Sequence, residues 1–156
     1  MQKITTFLTF NDQAEQAANL YTSIFKNAKL GTVTRYGEGA PAPKGSVMSV
    51  TFALEGQEFI ALNGGPSFTF SQGISLFVNC ETQAEVDDLW TKLTENGGEE
   101  GPCGWAKDRF GVWWQIVPNV LFTLLSDRDP ARSKRAMAAM MGMRKLDIAA
   151  LKRAVI

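Results

Sequence analysis

One order of hydrophobic patterns occurs twice in this chain, and that repetition limits the fold more than any single motif. Residues 3–10, KITTFLTF, are β-branched and aromatic and predict a strand. NDQAEQAANLYTSIF (11–25) follows, with Asn11 and Asp12 as cap candidates and Ala14, Ala17, Ala18, Tyr21, Ile24 and Phe25 at helical spacing. LGTVTRY (30–36) predicts a second strand, GEGAPAPKG (37–45) a loop, and residues 46–66 two strands joined across Glu55-Gly56, where glycine supplies the positive φ of a hairpin.

The same strand, helix and three-strand order then returns. GISLFVNC (73–80) is a strand, and ETQAEVDDLWTKLTENGG (81–98) a helix with Thr82 three residues before Glu85, a capping-box spacing. Its stripe is Val86, Leu89, Trp90 and Leu93, and Gly97-Gly98 stops it. A less regular segment around GPCGWAKD (101–108) leads through a turn into FGVWWQIVP (110–118). A repeat of about 70 residues is too long for a solenoid and predicts two copies of one small βαβββ module. The fold class is therefore α+β, with residues 1–125 one domain of two modules, about 1–66 and 73–118, and residues 126–156 a C-terminal helical extension.

That extension offers Asp129 as N-cap, Pro130 at the first helical position, Gly142 as a stop and a second short helix near 146–155. Its apolar stripe, Ala136, Met137, Met140, Met141, Ile148, Leu151 and Val155, must pack on something. Charge is uneven: residues 1–125 hold eight Lys and Arg against thirteen Asp and Glu, residues 126–156 eight against three. Without basic runs interleaved with aromatics the tail does not predict nucleic-acid binding; a solvated face, or a tail docked on the acidic body of a partner in a homodimer, is expected.

The chain of 156 residues contains no histidine, which removes the commonest metal ligand and every Ser-His or Cys-His nucleophile. Cys80 and Cys103 have no CxxC spacing and are expected as reduced small apolar residues. No run approaches the roughly 18 apolar residues of a membrane span, and no secretion signal is recognisable at the N-terminus, so a cytoplasmic protein without membrane contact is expected.

The stretches YTSIF, FIALNGGP, FVNCET, CGWAKDRFGVWWQIVP and KLDIAAL, spread over nearly the whole chain, give a closer comparison. Together with the paired modules they resemble the vicinal oxygen chelate superfamily, which includes glyoxalase I, extradiol dioxygenases and bleomycin-binding proteins. Within it the chain is most similar to the 3-demethylubiquinone-9 3-methyltransferase-like, or phosphonate-operon-like, branch. The resemblance implies a cup around a small-molecule cavity, and in metal-dependent members one ligand on the first and last strand of each module. Those positions carry over to Thr5, Ala61, Gly73 and Gln115, a set that lacks the donors a divalent metal requires. No metal and no cofactor are expected.

Side chains alternate along a strand, so Thr5, Ala61, Gly73 and Gln115 taken as cup-facing bring with them Phe7, Thr9, Phe59, Asn63, Ser75, Phe77, Asn79, Trp113 and Val117. The opposite set, Leu8, Phe10, Ile60, Leu62, Ile74, Leu76, Val78, Trp114 and Ile116, is wholly apolar and suits a face against helices. Phe7, Phe59, Asn63, Phe77, Trp113 and Gln115 are thus the candidate ligand-binding residues, aromatic walls with a few polar groups. Gln115 and Asn63 bonded to each other or to backbone, and Trp113 and Phe7 as plain core, are the alternatives. Trp105 is expected to pack under a hairpin, and Lys107, Asp108 and Arg109 to form a polar turn.

The expected function is metal-independent binding of a small apolar or aromatic molecule. The alternatives are a metal-dependent lyase, isomerase or dioxygenase-like enzyme, and a structural dimer without ligand. The Gly-rich NGGP (63–66) and NGGEEG (96–101) end a strand and a helix, where a methyl-donor or nucleotide loop would follow a parallel strand and open a helix. A methyltransferase reading therefore rests on the family label alone.

Overall fold

The computed structural model describes residues 2–156. The chain divides into two compact units, one ending at Thr69 and the other spanning Phe70–Ile156. Among the described residues no helix is long and apolar enough to cross a membrane.

The first unit contains β1 (Thr6–Phe10), α1 (Ala14–Ile24), β2 (Ala28–Arg35), β3 (Val47–Leu54) and β4 (Gln57–Asn63). Its sheet runs β1-β4-β3-β2, with β1 parallel to β4 and the other pairs antiparallel. Glu55 and Gly56 both take positive φ, 50° and 81°, as the tight turn between β3 and β4 requires. Helix α1 presents Ala14, Ala17, Ala18 and Tyr21, all fully buried, to the sheet. The small alanines let the helix lie close, while Tyr21 meets Phe52 at 6.0 Å and Phe52 stacks on Phe59 at 5.2 Å.

That stack corrects the expected phase of β4. Residues level with one another in a parallel pair share a face, and Phe7 is level with Ile60, whereas Phe59, Ala61 and Asn63 are level with Thr6, Leu8 and Phe10. Phe59, Ala61 and Asn63 therefore belong to the helix side with buried Leu8 and Phe10, and Ile60 and Leu62 accompany Phe7 on the open side. In β4 Phe59 and Ala61 are as apolar as Ile60 and Leu62, so the pattern alone cannot set the phase, and a one-residue slip turns every side chain over.

The start of α1 differs as well. Gln13 stands at the N-cap without a side-chain bond. The free Ala14 N–H is instead taken by the Asn63 carboxamide oxygen at 2.8 Å, and the Asn63 NH2 donates to the Val47 carbonyl at 3.0 Å. A residue on the last strand of the unit thus performs the capping expected of Asn11 or Asp12.

The second unit contains β5 (Leu76–Cys80), α2 (Gln83–Thr94), β6 (Glu99–Glu100), β7 (Trp105–Lys107), β8 (Trp113–Pro118), α3 (Val120–Leu125), α4 (Pro130–Met141) and α5 (Ile148–Ala154). Its sheet order, β5-β8-β7-β6, repeats the first with β5 parallel to β8. The Thr82 hydroxyl accepts the Glu85 N–H at 3.2 Å, and the Glu85 carboxylate accepts the Glu81 N–H, fixing the start of α2.

The three C-terminal helices belong to this unit. Leu121, Leu124, Ala136, Leu146, Leu151 and Val155 form a buried cluster with Val117 of β8. The Gln83 carboxamide accepts from the Ile148 N–H at 2.8 Å and donates to the Leu146 carbonyl at 3.1 Å, and Lys145 pairs with Asp87 at 2.9 Å. Much of the tail's apolar stripe is thus covered within its own unit. The stripe is narrower than its methionines suggest, because Met137 and Met141 remain exposed.

Candidate functional site

The open face of the second sheet carries the polar and aromatic groups. Phe77, Gln115 and Trp105 lie level across β5, β8 and β7, and Lys107 lies level with Trp113. The Gln115 NH2 donates to the Ser75 hydroxyl oxygen at 2.9 Å. Trp105 and Trp113 meet edge to face, with centroids 6.3 Å apart and planes at 65°. The Lys107 ammonium sits 5.9 Å from the Trp113 ring centre, and Phe77 packs on Phe122 of α3 at 5.8 Å. Gln72, Pro102, Trp105 and Trp113 line an open hollow of about 180 Å³.

The other face of these strands is the core. Trp114 and Ile116 are buried beside Ala106. Asp108, expected in a polar turn, is 2% exposed and holds this region together. One carboxylate oxygen accepts the N–H groups of Phe110 and Val112 at 2.9 and 3.1 Å, and the other accepts the Trp114 indole N–H at 2.9 Å. The loop before β8 is thereby closed on a buried charge, which fixes which tryptophan faces in and which faces out. A loop acid spaced to bond the amides two and four residues on, ahead of Gly111 at φ 93°, was the available signal.

The six candidate ligand residues separate accordingly. Phe77, Trp113 and Gln115 share the open face of the second sheet, and Trp105 joins them in place of packing beneath a hairpin. Phe7 lies on the open face of the first sheet, 54% exposed, on the side of Ile60 and Leu62. A hollow of about 310 Å³ on that face is lined by Thr5, Gly31, Thr51, Ala53 and Ile60, among others. Phe59 is spent in the aromatic stack toward α1, and Asn63 in capping that helix, its carbonyl also accepting the Tyr36 hydroxyl at 2.9 Å. Asn63 and Gln115, weighed as partners for each other, bond elsewhere.

The four positions implied for a metal do not fit one. Ala61 and Gly73 bring no side-chain donor, Thr5 offers a neutral hydroxyl, and the neutral Gln115 amide is engaged with Ser75. Among the described residues no three acidic or cysteine side chains cluster to bind a metal ion elsewhere. Cys80 and Cys103 are free. Burial, reinforced by the Glu85 carboxylate, pushes the Cys80 thiol up to about 12.

The family model for 3-demethylubiquinone-9 3-methyltransferase matches residues 2–117. The chain belongs to this family. The PhnB protein of Bacillus cereus is 39% identical over 75% of this chain and 99% of its own, with a TM-score of 0.68. A Pseudomonas aeruginosa protein shares the fold at 22% identity and a TM-score of 0.61, covering 76% of this chain and 98% of its own. No curated protein matches the chain. The paired βαβββ modules and this family membership make it a glyoxalase-like protein of the vicinal oxygen chelate superfamily. Helices α3 to α5 lie beyond the residues that the 3-demethylubiquinone-9 3-methyltransferase model matches.

The methyl-transfer chemistry in the family's description finds no loop to serve it in the two Gly-rich stretches. The Gly64 and Gly65 amides donate to the Phe10 and Asn11 carbonyls, and the Gly98 amide to the Glu95 carbonyl. These amides are engaged with the chain itself, whereas an anion-binding loop would aim them at a ligand.

Proposed function

We propose that this protein binds a small aromatic molecule without the help of a metal, and that the open face of its second sheet makes the contact. The observation carrying this reading is the hollow walled by Trp105 and Trp113, flanked by the hydrogen-bonded pair Gln115–Ser75. Small-molecule sites combine apolar walls with a few placed polar groups, and the same sheet's other face is apolar core around the buried Asp108. The space suits a single ring, and edge-to-face indoles offer it a ring surface. Gln115 provides orientation: its bond to Ser75 leaves the amide carbonyl and one N–H to meet a ligand.

Screening single-ring compounds by tryptophan emission tests the proposal. Quenching that saturates, survives chelator and is weakened by Trp113→Phe and Gln115→Ala supports it. Binding that disappears with chelator and returns with a divalent ion overturns metal independence, and saturable binding untouched by both substitutions overturns the site.

A further inference from the structure

The four tryptophans fall into two pairs. The indole N–H of Trp90 donates to the Glu100 carboxylate at 2.6 Å, and that of Trp114 to the Asp108 carboxylate at 2.9 Å. Both of those rings are buried. Trp105 and Trp113 are the two that wall the hollow, and among the described residues neither indole N–H has an acceptor. An indole N–H can only donate, so each of these is free to meet an acceptor from outside the chain.

Lys107 adds a third such group. Like several other cations of the chain, Lys107 makes no ion pair among the described residues; its place is what matters, with the ammonium beside the Trp113 ring. Glu99 stands level with it across β6 and β7 without pairing to it. The aromatic face thus offers two indole N–H donors and one ammonium, the last on a half-buried lysine beside Trp113.

From this surplus we infer that the ligand is an aromatic carboxylate, its ring against Trp105 and Trp113 and its carboxylate facing Lys107 and the indole N–H groups. This deepens the reading proposed above and rests on it. The chemistry is complementary on both counts: the ring takes the apolar wall, and the carboxylate supplies acceptors to groups that lack them, forming charge-assisted bonds. A neutral ring of the same shape would leave the ammonium and the donors to water.

Benzoate and its neutral counterpart benzamide are the probes, read on the indole N–H resonances of 15N-labelled protein and assigned with Trp105→Phe and Trp113→Phe. Benzoate is expected to move the Trp105 and Trp113 signals, leave those of Trp90 and Trp114 in place, and bind about tenfold more tightly than benzamide. Lys107→Met, which keeps an apolar side chain beside Trp113, should remove the preference for benzoate over benzamide. Equal affinity for the two probes, or benzoate binding indifferent to Lys107→Met, would overturn the carboxylate assignment and leave the aromatic site standing. If neither probe moves the two signals, this assignment and the ligand site both fail.

Discussion

The Asp108 carboxylate and the Trp114 indole share a 2.9 Å hydrogen bond inside the core, and that bond orients the strand that carries the candidate site. Trp113 and Trp114 are adjacent on β8, so whichever ring is held inside sends the other to the open face. The buried acid therefore determines, at one residue's remove, what a ligand can meet.

Replacing Asp108 with Ala would leave the Phe110 and Val112 N–H groups and the Trp114 indole without this acceptor, all near the core. Each buried donor left unmade costs about 1–3 kcal/mol, so a loss of roughly 3 kcal/mol or more in urea unfolding is expected. Asp108→Asn keeps one acceptor oxygen and should lose less. A change within 0.5 kcal/mol, the range of an ordinary surface substitution, would mean that the turn is held by something else.

Asn63 separates stability from binding. Its carboxamide caps α1 and crosses to Val47, so Asn63→Ala should cost about 1–2 kcal/mol of stability, the usual cap range. Because that side chain faces the helix, ligand-induced quenching of tryptophan emission should be unaltered. Gln115→Ala has the opposite signature, a marked loss of binding with a smaller stability change of about 1 kcal/mol from the Ser75 bond. An Asn63→Ala protein of full stability and impaired quenching would return Asn63 to the ligand face.

How far these assignments could be read from sequence follows from where the alternation was decisive. In β8 the run WWQIV alternates a polar amide with apolar neighbours, so Trp113 and Gln115 separate from Trp114 and Ile116 without any structure. In β4 Phe59 and Ala61 are as apolar as Ile60 and Leu62, and the phase had to come from the register Phe7 to Ile60. Asp108 was missed for a different reason. Lys-Asp-Arg is a solvated turn by composition, and only the folded loop brings two backbone N–H groups and an indole onto one carboxylate. The Asn63 cap links residues 49 apart, and the covering of the tail stripe by Leu121 and Leu124 needed the unforeseen helix α3.

The tail's ion pair gives a pH dependence with a definite sign. The Asp87 carboxyl is held below its ordinary value of 3.8, first by the hydrogen bond from Lys145 and then by that from Gln83. A depressed carboxyl stabilises the folded state above its unfolded pKa, and the contribution is lost as pH falls through the lowered folded value. Both partners are substantially exposed, so the effect is a few tenths of a kcal/mol and is screened by salt. Lys145→Met should lower the melting temperature slightly at pH 7 and less in acid strong enough to protonate the Asp87 carboxyl. A deficit of the same size at both pH values would show that the Lys145 stem, and not its charge, fastens the tail.

The two cysteines should differ sharply in reactivity. Cys80 is fully buried at the end of β5, and its thiol is raised to about 12, so at pH 8 it presents neither access nor thiolate. Cys103 is only partly buried, on a turn where its sulfur lies 3.7 Å from that of exposed Met141. A disulfide-exchange reagent at pH 8 should therefore titrate one thiol per chain in native protein and two in urea, and Cys103→Ser should abolish the native reaction. Two fast-reacting thiols in native protein would require Cys80 to be reached through opening of β5 from β8, placing the parallel strand pair that supports Gln115 among the less stable parts of the fold.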